Sequence, residues 1–363
     1  MATRAPCRHR PAGPVLGRAP LMGGTRRGQP SRSCLSDQYI RRFRRCPCAA
    51  FHNPASICFP RDSEKTPHMT LHAPLTADLR QWVTHHLPGL ATIVDVSWPR
   101  GCSRVWRMAS GTDEVYVKLS PTPEDYAREV HAYEHAARFA PHEVPRLLAT
   151  DPGLRAIMTS PLSGLVVRGL SLTAEVEPRV HELAGRLLRR WHDLPEPASG
   201  QARKVIMVSV AEQADEAAAC LERTAEHLTD AQRALVQQVS RELPRLAEDL
   251  PVVFRHGDYS PRNWLWDAKR GTHGLIDFEQ SDHGVAVEDF VWLRGAVWPT
   301  RPDLKTAFLA GYGRRLSDAE RRALPLLTAR LAVSYLNSGI TKQEPVLVER
   351  GRTALTHLVG DCG

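Results

Sequence analysis

The chain has 363 residues, 42% of them apolar, which is enough for two lobes around a buried core. No apolar run approaches the roughly 20 residues of a membrane-spanning helix, so no membrane partner is expected. The net charge of +8 is uneven: residues 1–68 hold 13 basic and three acidic residues, so the remainder stands at −2, whereas a nucleic-acid reader needs its basic stripe on the fold.

Residues 1–68 are rich in Arg, Pro, Gly, Ser and Cys and have no sustained apolar period. Such a segment cannot bury enough surface to offset ordering entropy, so a disordered basic tail is expected. Its composition also suits a transit peptide or a basic arm. Helix-like patterning first appears after Met69, and the favoured reading is a mis-assigned start with Met69 the true one. Beyond the tail only Cys102, Cys220 and Cys362 occur, which gives neither a disulfide framework nor paired metal spacing. No secretory signal is present, and a reducing, cytoplasmic setting is expected.

From Thr76 to Leu87 the apolar residues Leu79, Trp82, Val83 and Leu87 share one helical face, with Thr76 as cap. Ile93–Val96, Val105–Met108 and Val115–Leu119 predict three strands, with a turn at Ser110–Asp113. Pro123 opens a helix that runs to about Phe139. Leu147–Ala149 and Ala156–Met158 complete a small antiparallel sheet. From Thr173 the chain turns helical: Val180, Leu183, Ala184, Leu187, Leu188 and Trp191 hold one face, and His192 is read as a packing or capping residue. Further helices are expected near 210–227, 230–248, 286–298, 303–314, 318–339 and 343–358.

Two short apolar runs bracket a polar loop between the helices. Val252-Val253-Phe254 leads into Arg255-His256-Gly257-Asp258-Tyr259-Ser260-Pro261-Arg262-Asn263, and Leu275-Ile276 ends at Asp277. Phosphoryl transfer from ATP needs one carboxylate to orient and deprotonate a hydroxyl, and an amide and a second carboxylate to hold Mg²⁺. The kinase loop H-R-D-x-x-x-x-N spaces its Asp and Asn as Asp258 and Asn263 are spaced here.

With Gly after the histidine, the segment resembles the aminoglycoside phosphotransferase family, whose loop reads H-G-D-x-x-x-x-N. That resemblance covers roughly residues 90–300. It implies an α+β, bilobal protein-kinase-like fold, with a small β-rich N-lobe over 69–163 and a larger helical C-lobe over 164–363. ATP is expected between the lobes, with Mg²⁺. Asp258 is then the catalytic base, and Asn263 and Asp277 are the Mg²⁺ ligands.

Lys118 lies on the third strand, opposite the apolar set Val115, Val117 and Leu119, where the resemblance puts an ATP-phosphate lysine. Glu129 on the next helix is its expected partner, with Glu134 as alternative. Gly101 and Ser103 belong to the expected phosphate-covering loop, which lacks the G-x-G-x-x-G pattern. Met158–Gly164, including Ser160, resembles the hinge that binds adenine. His256 and Asp289 are expected to support the site by bracing the loop rather than by reacting.

Asp277-Phe278-Glu279 replaces the Asp-Phe-Gly of protein kinases, and no Ala-Pro-Glu follows. A small-molecule hydroxyl is therefore expected as acceptor rather than a protein, with no obligate protein partner. An aminoglycoside or other antibiotic, or a choline- or sugar-type metabolite, fits the resemblance. A nucleotide-binding module without turnover is the competing reading. Carboxylates available to a cationic acceptor are Glu279, Glu288, Glu212, Asp215 and Glu216. Trp264, Trp266, Trp292 and Trp298 are read mainly as core.

Overall fold

The computed structural model describes residues 75–98, 103–136, 139–193 and 200–361. The tail, Met69, Gly101 and Cys102 lie outside them. Helix α1 (Ala77–His86) starts where Thr76 Oγ1 accepts the Leu79 N–H at 3.3 Å. Five strands follow: β1 (Thr92–Asp95), β2 (Arg104–Ser110), β3 (Asp113–Leu119), β4 (Leu147–Asp151) and β5 (Ala156–Thr159). They form one antiparallel sheet in the order β1-β2-β3-β5-β4. Helix α2 (Pro123–Ala136) connects β3 to β4.

Period-2 alternation decides what this sheet offers to each side. Trp106, Met108, Val115, Val117, Ala156 and Met158 pack with Leu79 and Val83 of α1. Lys118 and its cross-strand neighbour Ile157 point the other way. Ile157 there joins the second core, which includes Ala132 and Tyr133 of α2.

The helical lobe holds α3 (Val176–His192), α4 (Gly200–Thr224), α5 (Asp230–Leu246), α6 (Val291–Ala296), α7 (Pro302–Tyr312), α8 (Asp318–Thr341) and α9 (Pro345–Gly360). Val180, Ala184, Leu187, Leu188 and Trp191 are buried along α3, while Leu183, expected on the same stripe, is half-buried at its margin. Gly185 and Gly311 let α3 and α7 touch backbone to backbone. A Cβ at Gly185 would lie 2.0 Å from the Phe308 carbonyl oxygen, and one at Gly311 1.9 Å from that of Glu182.

Three elements were not expected. They are β6 (Leu165–Val166), β8 (Trp264–Asp267) and β10 (Asp282–Val285). Strand β6 pairs with β8, which pairs with β9 (Thr272–Leu275), and β10 pairs with β7 (Val252–Arg255). The helix expected from 210 begins at Gly200, and the one expected over 286–298 begins as a short 3₁₀ segment, Ala286–Phe290. Trp264, Trp266 and Trp298 are buried core, whereas Trp292 is half-buried. No helix among the described residues is long and apolar enough to cross a membrane.

Candidate active site

The polar loop 256–263 runs from the end of β7 to the start of β8. Gly257 has φ +83, and a Cβ there would lie 2.2 Å from the Gln280 carbonyl oxygen. Conformation and close approach both demand glycine. Asp289, in the 3₁₀ segment before α6, accepts hydrogen bonds from the backbone N–H of His256 (2.8 Å) and of Gly257 (2.7 Å). Its Oδ2 also lies 3.0 Å from His192 Nε2, and His192 Nδ1 lies 2.8 Å from the Tyr312 hydroxyl. Burial works to raise the Asp289 carboxyl, but the hydrogen bond and charge of His192, with His256 and Arg255, hold it below its ordinary range.

His256 sits in the turn with Nδ1 accepting the Asp258 N–H at 3.2 Å and Nε2 facing the Ile276 carbonyl at 3.2 Å. A carbonyl only accepts, so the proton is on Nε2 and the ring is neutral. Burial, against the opposing charges of Asp289, Asp258 and Asp277, lowers its pKa in agreement. Tyr259 turns inward, its hydroxyl donating to the Ala184 carbonyl at 2.6 Å.

Asp258 and Asn263 come together at once. Asn263 Nδ2 donates to the Asp258 carbonyl at 3.0 Å and to its Oδ2 at 2.9 Å. The amide nitrogen is thereby committed, and the amide oxygen faces away from Asp258. Arg262 donates through Nε to the same Oδ2 at 2.9 Å, and its Nη2 contacts that oxygen too. Burial works to lower the Arg262 guanidinium, but the charge of Asp258 overrides it and the pKa is raised.

A second cluster forms where the two lobes meet. Lys118 Nζ lies 2.6 Å from Asp277 Oδ1, 2.8 Å from Glu129 Oε2 and 3.0 Å from Glu279 Oε2. Oxygens of the three carboxyl groups lie within 4.8 Å of one another. Burial works to lower Lys118, but Asp277, Glu129 and Glu279 together raise it well above its ordinary range. Glu129 is pushed up to about 7, first by burial and then by Asp277 and Glu279, against Lys118. Three carboxyl groups on one ammonium leave the cluster negative. Asp277 adopts φ +69, a left-handed conformation rare for a side-chain-bearing residue and concentrated at functional sites. The neighbouring Ile276 N–H donates to the Asn263 carbonyl at 3.0 Å, which ties the two clusters together.

The remaining expected residues fall in different places. Ser103 Oγ donates to Glu279 Oε2 at 2.5 Å, so it meets the lysine cluster. Ser160 Oγ accepts the Arg146 N–H at 2.9 Å and its own N–H donates to the Arg146 carbonyl at 2.9 Å. Its hydroxyl and its N–H are thus both committed to the Arg146 backbone. Glu134 is exposed. Glu279, read as an acceptor-side carboxylate, is instead a partner of Lys118. Sequence reasoning passed over Arg262 and the tie from His192 to Asp289. Arg262 carried a signal, since it sits four residues after Asp258 in the loop. A cavity of about 360 Å³ lies behind the loop, lined by Arg189, His192, Tyr312 and Glu320, and none of the residues named for chemistry reaches it.

A model of the phosphotransferase enzyme family matches residues 99–326. No curated protein matches the sequence. Among solved structures, the ADP-bound aminoglycoside phosphotransferase APH(2'')-Ib is similar with TM-score 0.57 at 13% identity, over 78% of this chain and 98% of that one. Spectinomycin phosphotransferase APH(9)-Ia, in complex with ADP and spectinomycin, gives 0.52 at 14%, over 79% and 98%. A macrolide 2'-phosphotransferase type I gives 0.52 at 17%, over 77% and 98%. At these identities the likeness shows the fold: a β-sheet lobe and a helical lobe arranged as in kinase-like phosphotransferases.

Proposed function

The chain belongs to the phosphotransferase enzyme family, and from that premise we propose that it transfers the γ-phosphoryl group of ATP, with Mg²⁺, to a hydroxyl of a small molecule. The observation that carries this reading is the joining of the two clusters through one loop. Asp258 and Asn263 are hydrogen-bonded to each other, and the Asn263 carbonyl is bonded to the residue before Asp277.

The donor set fits the metal. Mg²⁺ takes hard oxygens and keeps several waters, so one amide oxygen and one or two carboxylates suffice. Asn263 has its nitrogen committed to Asp258 and its oxygen turned away, and Asp277 stands in a cluster with surplus negative charge. Asn263 and Asp277 would hold the ion, with Glu279 beside them. When bound, it would neutralise charge developing between the phosphates.

The protein's own part is positioning and electrostatics. Lys118, aligned by Glu129, binds phosphate oxygens once nucleotide displaces its contacts to Asp277 and Glu279. Ser103, bonded to Glu279, stands beside them, and Gly101, outside the described residues, is proposed to belong to the same phosphate-covering loop. The Ser160 carbonyl is the hinge group available to adenine. The donors to Asp258 converge on Oδ2, so Oδ1 receives the acceptor hydroxyl, orients it and takes its proton. Arg262 and Asn263 hold that carboxylate in one rotamer. His256 and Asp289 fix the backbone beneath it.

The test is ADP release by the full chain with Mg-ATP and a panel of hydroxylated antibiotics, choline-like alcohols, sugars and their acidic and phosphorylated derivatives. Asp258→Asn is isosteric and should keep nucleotide binding while release falls on the order of 10²–10⁴-fold. Wild-type turnover in that variant would refute the base assignment. Mg-ATP binding without release for any acceptor would favour the binding-only module.

A further inference from the structure

Arg262 is not the only guanidinium near Asp258. Arg168, just beyond β6, donates its backbone N–H to the Pro261 carbonyl at 3.0 Å, so it lies against the loop. Arg350, on α9, stacks its guanidinium 5.5 Å from the centre of the Tyr335 ring of α8. All three arginines are half-buried. Arg350 Nη1 is fully shielded from solvent and makes no hydrogen bond among the described residues. The wall beside it is apolar, made by Trp292, Leu331 and Ala354. Tyr335 supplies a side-chain hydrogen bond to the Arg350 guanidinium, but Nη1 still lacks an acceptor among the described residues.

The three charges also act on one another. Burial, then Arg350 and Arg262, lower Arg168 below its ordinary range, with Tyr335 and Asp258 opposing. Burial lowers Arg350; Tyr335 opposes it and Arg262 adds to it. Three of the five carboxylates named for a cationic acceptor are engaged elsewhere, and a fourth, Asp215, is exposed on α4. Glu216 pairs with Arg330 and accepts from Ser334. Glu288 pairs with Arg255 at 3.0 Å and accepts from Gln213 at 2.6 Å. Glu279 is held by Lys118 and Ser103.

We propose that the acceptor is an anionic alcohol, whose phosphate or carboxylate group is bound by Arg350 with Arg168 and Arg262 while its hydroxyl faces Asp258. This rests on the phosphotransferase reading and names its acceptor class. The planar fork of a guanidinium matches both anions with two parallel hydrogen bonds. An anion there supplies the acceptor missing at Arg350 and offsets the mutual repulsion of the three cations. A polycationic amino sugar meets that repulsion unrelieved.

The experiment takes the full chain first saturated with Mg-ADP, then titrated at constant ionic strength with inorganic phosphate in one arm and acetate in the other. Failure to bind Mg-ADP would remove the phosphotransferase reading and the inference with it. With nucleotide bound, saturable phosphate binding marks a phosphorylated acceptor, and saturable acetate binding marks a hydroxy acid. Either should weaken about tenfold or more in Arg350→Gln. Arg168→Gln provides the same reading should Arg350→Gln fail to fold. No saturable binding, or binding equal in variant and wild type, overturns the proposal. In turnover, Arg350→Gln should raise KM for anionic acceptors and leave kcat within about twofold, as a binding contact does. Preferential turnover of kanamycin or gentamicin would overturn the proposal and leave the phosphotransferase reading standing.

Discussion

The two ends of one loop carry opposite charge. Toward the β-sheet lobe, Lys118 faces three carboxyl groups, those of Glu129, Asp277 and Glu279. Toward α8 and α9, Asp258 faces Arg262, with Arg168 and Arg350 around Tyr335. The first end suits a cation and the polyphosphate that accompanies it. The second suits an anion. A phosphoryl group passing between them would leave a region that holds it through metal and lysine and enter one lined with guanidinium. On the proposed reading, acceptor class is written in residues separate from those that would handle nucleotide.

That separation can be broken. Asp277→Ala should weaken Mg²⁺-dependent nucleotide affinity on the order of 100-fold. It should leave anion binding at Arg350 within about twofold, because the two share no partner. Calorimetric titrations of the variant with Mg-ADP and with phosphate measure both, and a parallel loss would merge the two ends into one site. Gly257→Ala should strike both ends together. It forces an unfavourable φ and a clash with the Gln280 backbone, at a cost of about 2–4 kcal/mol. A fall of roughly 5–10 °C in Tm is expected for a domain of this size. A variant with unchanged Tm would mean that the loop backbone relaxes freely.

The smallest effect comes from pH and should not discriminate between the ends at all. His181 and His273 are buried beside Trp264, and burial lowers them to about 4 and about 3. Their folded-state pKa values lie below the unfolded value of about 6.5, so the unfolded chain binds more protons between the two. Stability is fully present above about 6.5 and is lost progressively as pH falls toward 4 and 3, by roughly 1 kcal/mol for each histidine at about pH 5.5. His256, also lowered, adds to this loss and Glu129, raised to about 7, opposes it in the same window, so the check is a difference: Tm should fall less between pH 7.5 and 5.5 in His273→Leu than in the wild type. An equal drop in that variant would assign the pH dependence to other groups.

Contiguous chemistry was legible in the sequence and assembled chemistry was not. His256, Asp258, Asn263 and Asp277 lie on one short segment, where spacing, flanking apolar runs and the resemblance to a kinase-type loop single them out together. Lys118 and Glu129 were readable because a strand followed directly by a helix limits the partners. Arg168 and Arg350 are 182 positions apart, and their charges act on one another only in the folded chain. Nothing in their local sequence differs from that of a solvated arginine. Among the strands, β8 escaped because Trp264–Asp267 is buried at every position and has no alternation to read. Helix α4 was expected only from 210, although its described span already includes residues 200–209.

Asp289 has a consequence for how the enzyme meets its ligands. One carboxylate grips two consecutive backbone N–H groups, while His192 and Tyr312 hold it from behind. The loop's conformational entropy is therefore surrendered when the chain folds rather than when substrate arrives. The loop is preorganised, and on the proposed reading binding energy from nucleotide and acceptor would remain available for aligning the reacting atoms instead of shaping the loop that receives them.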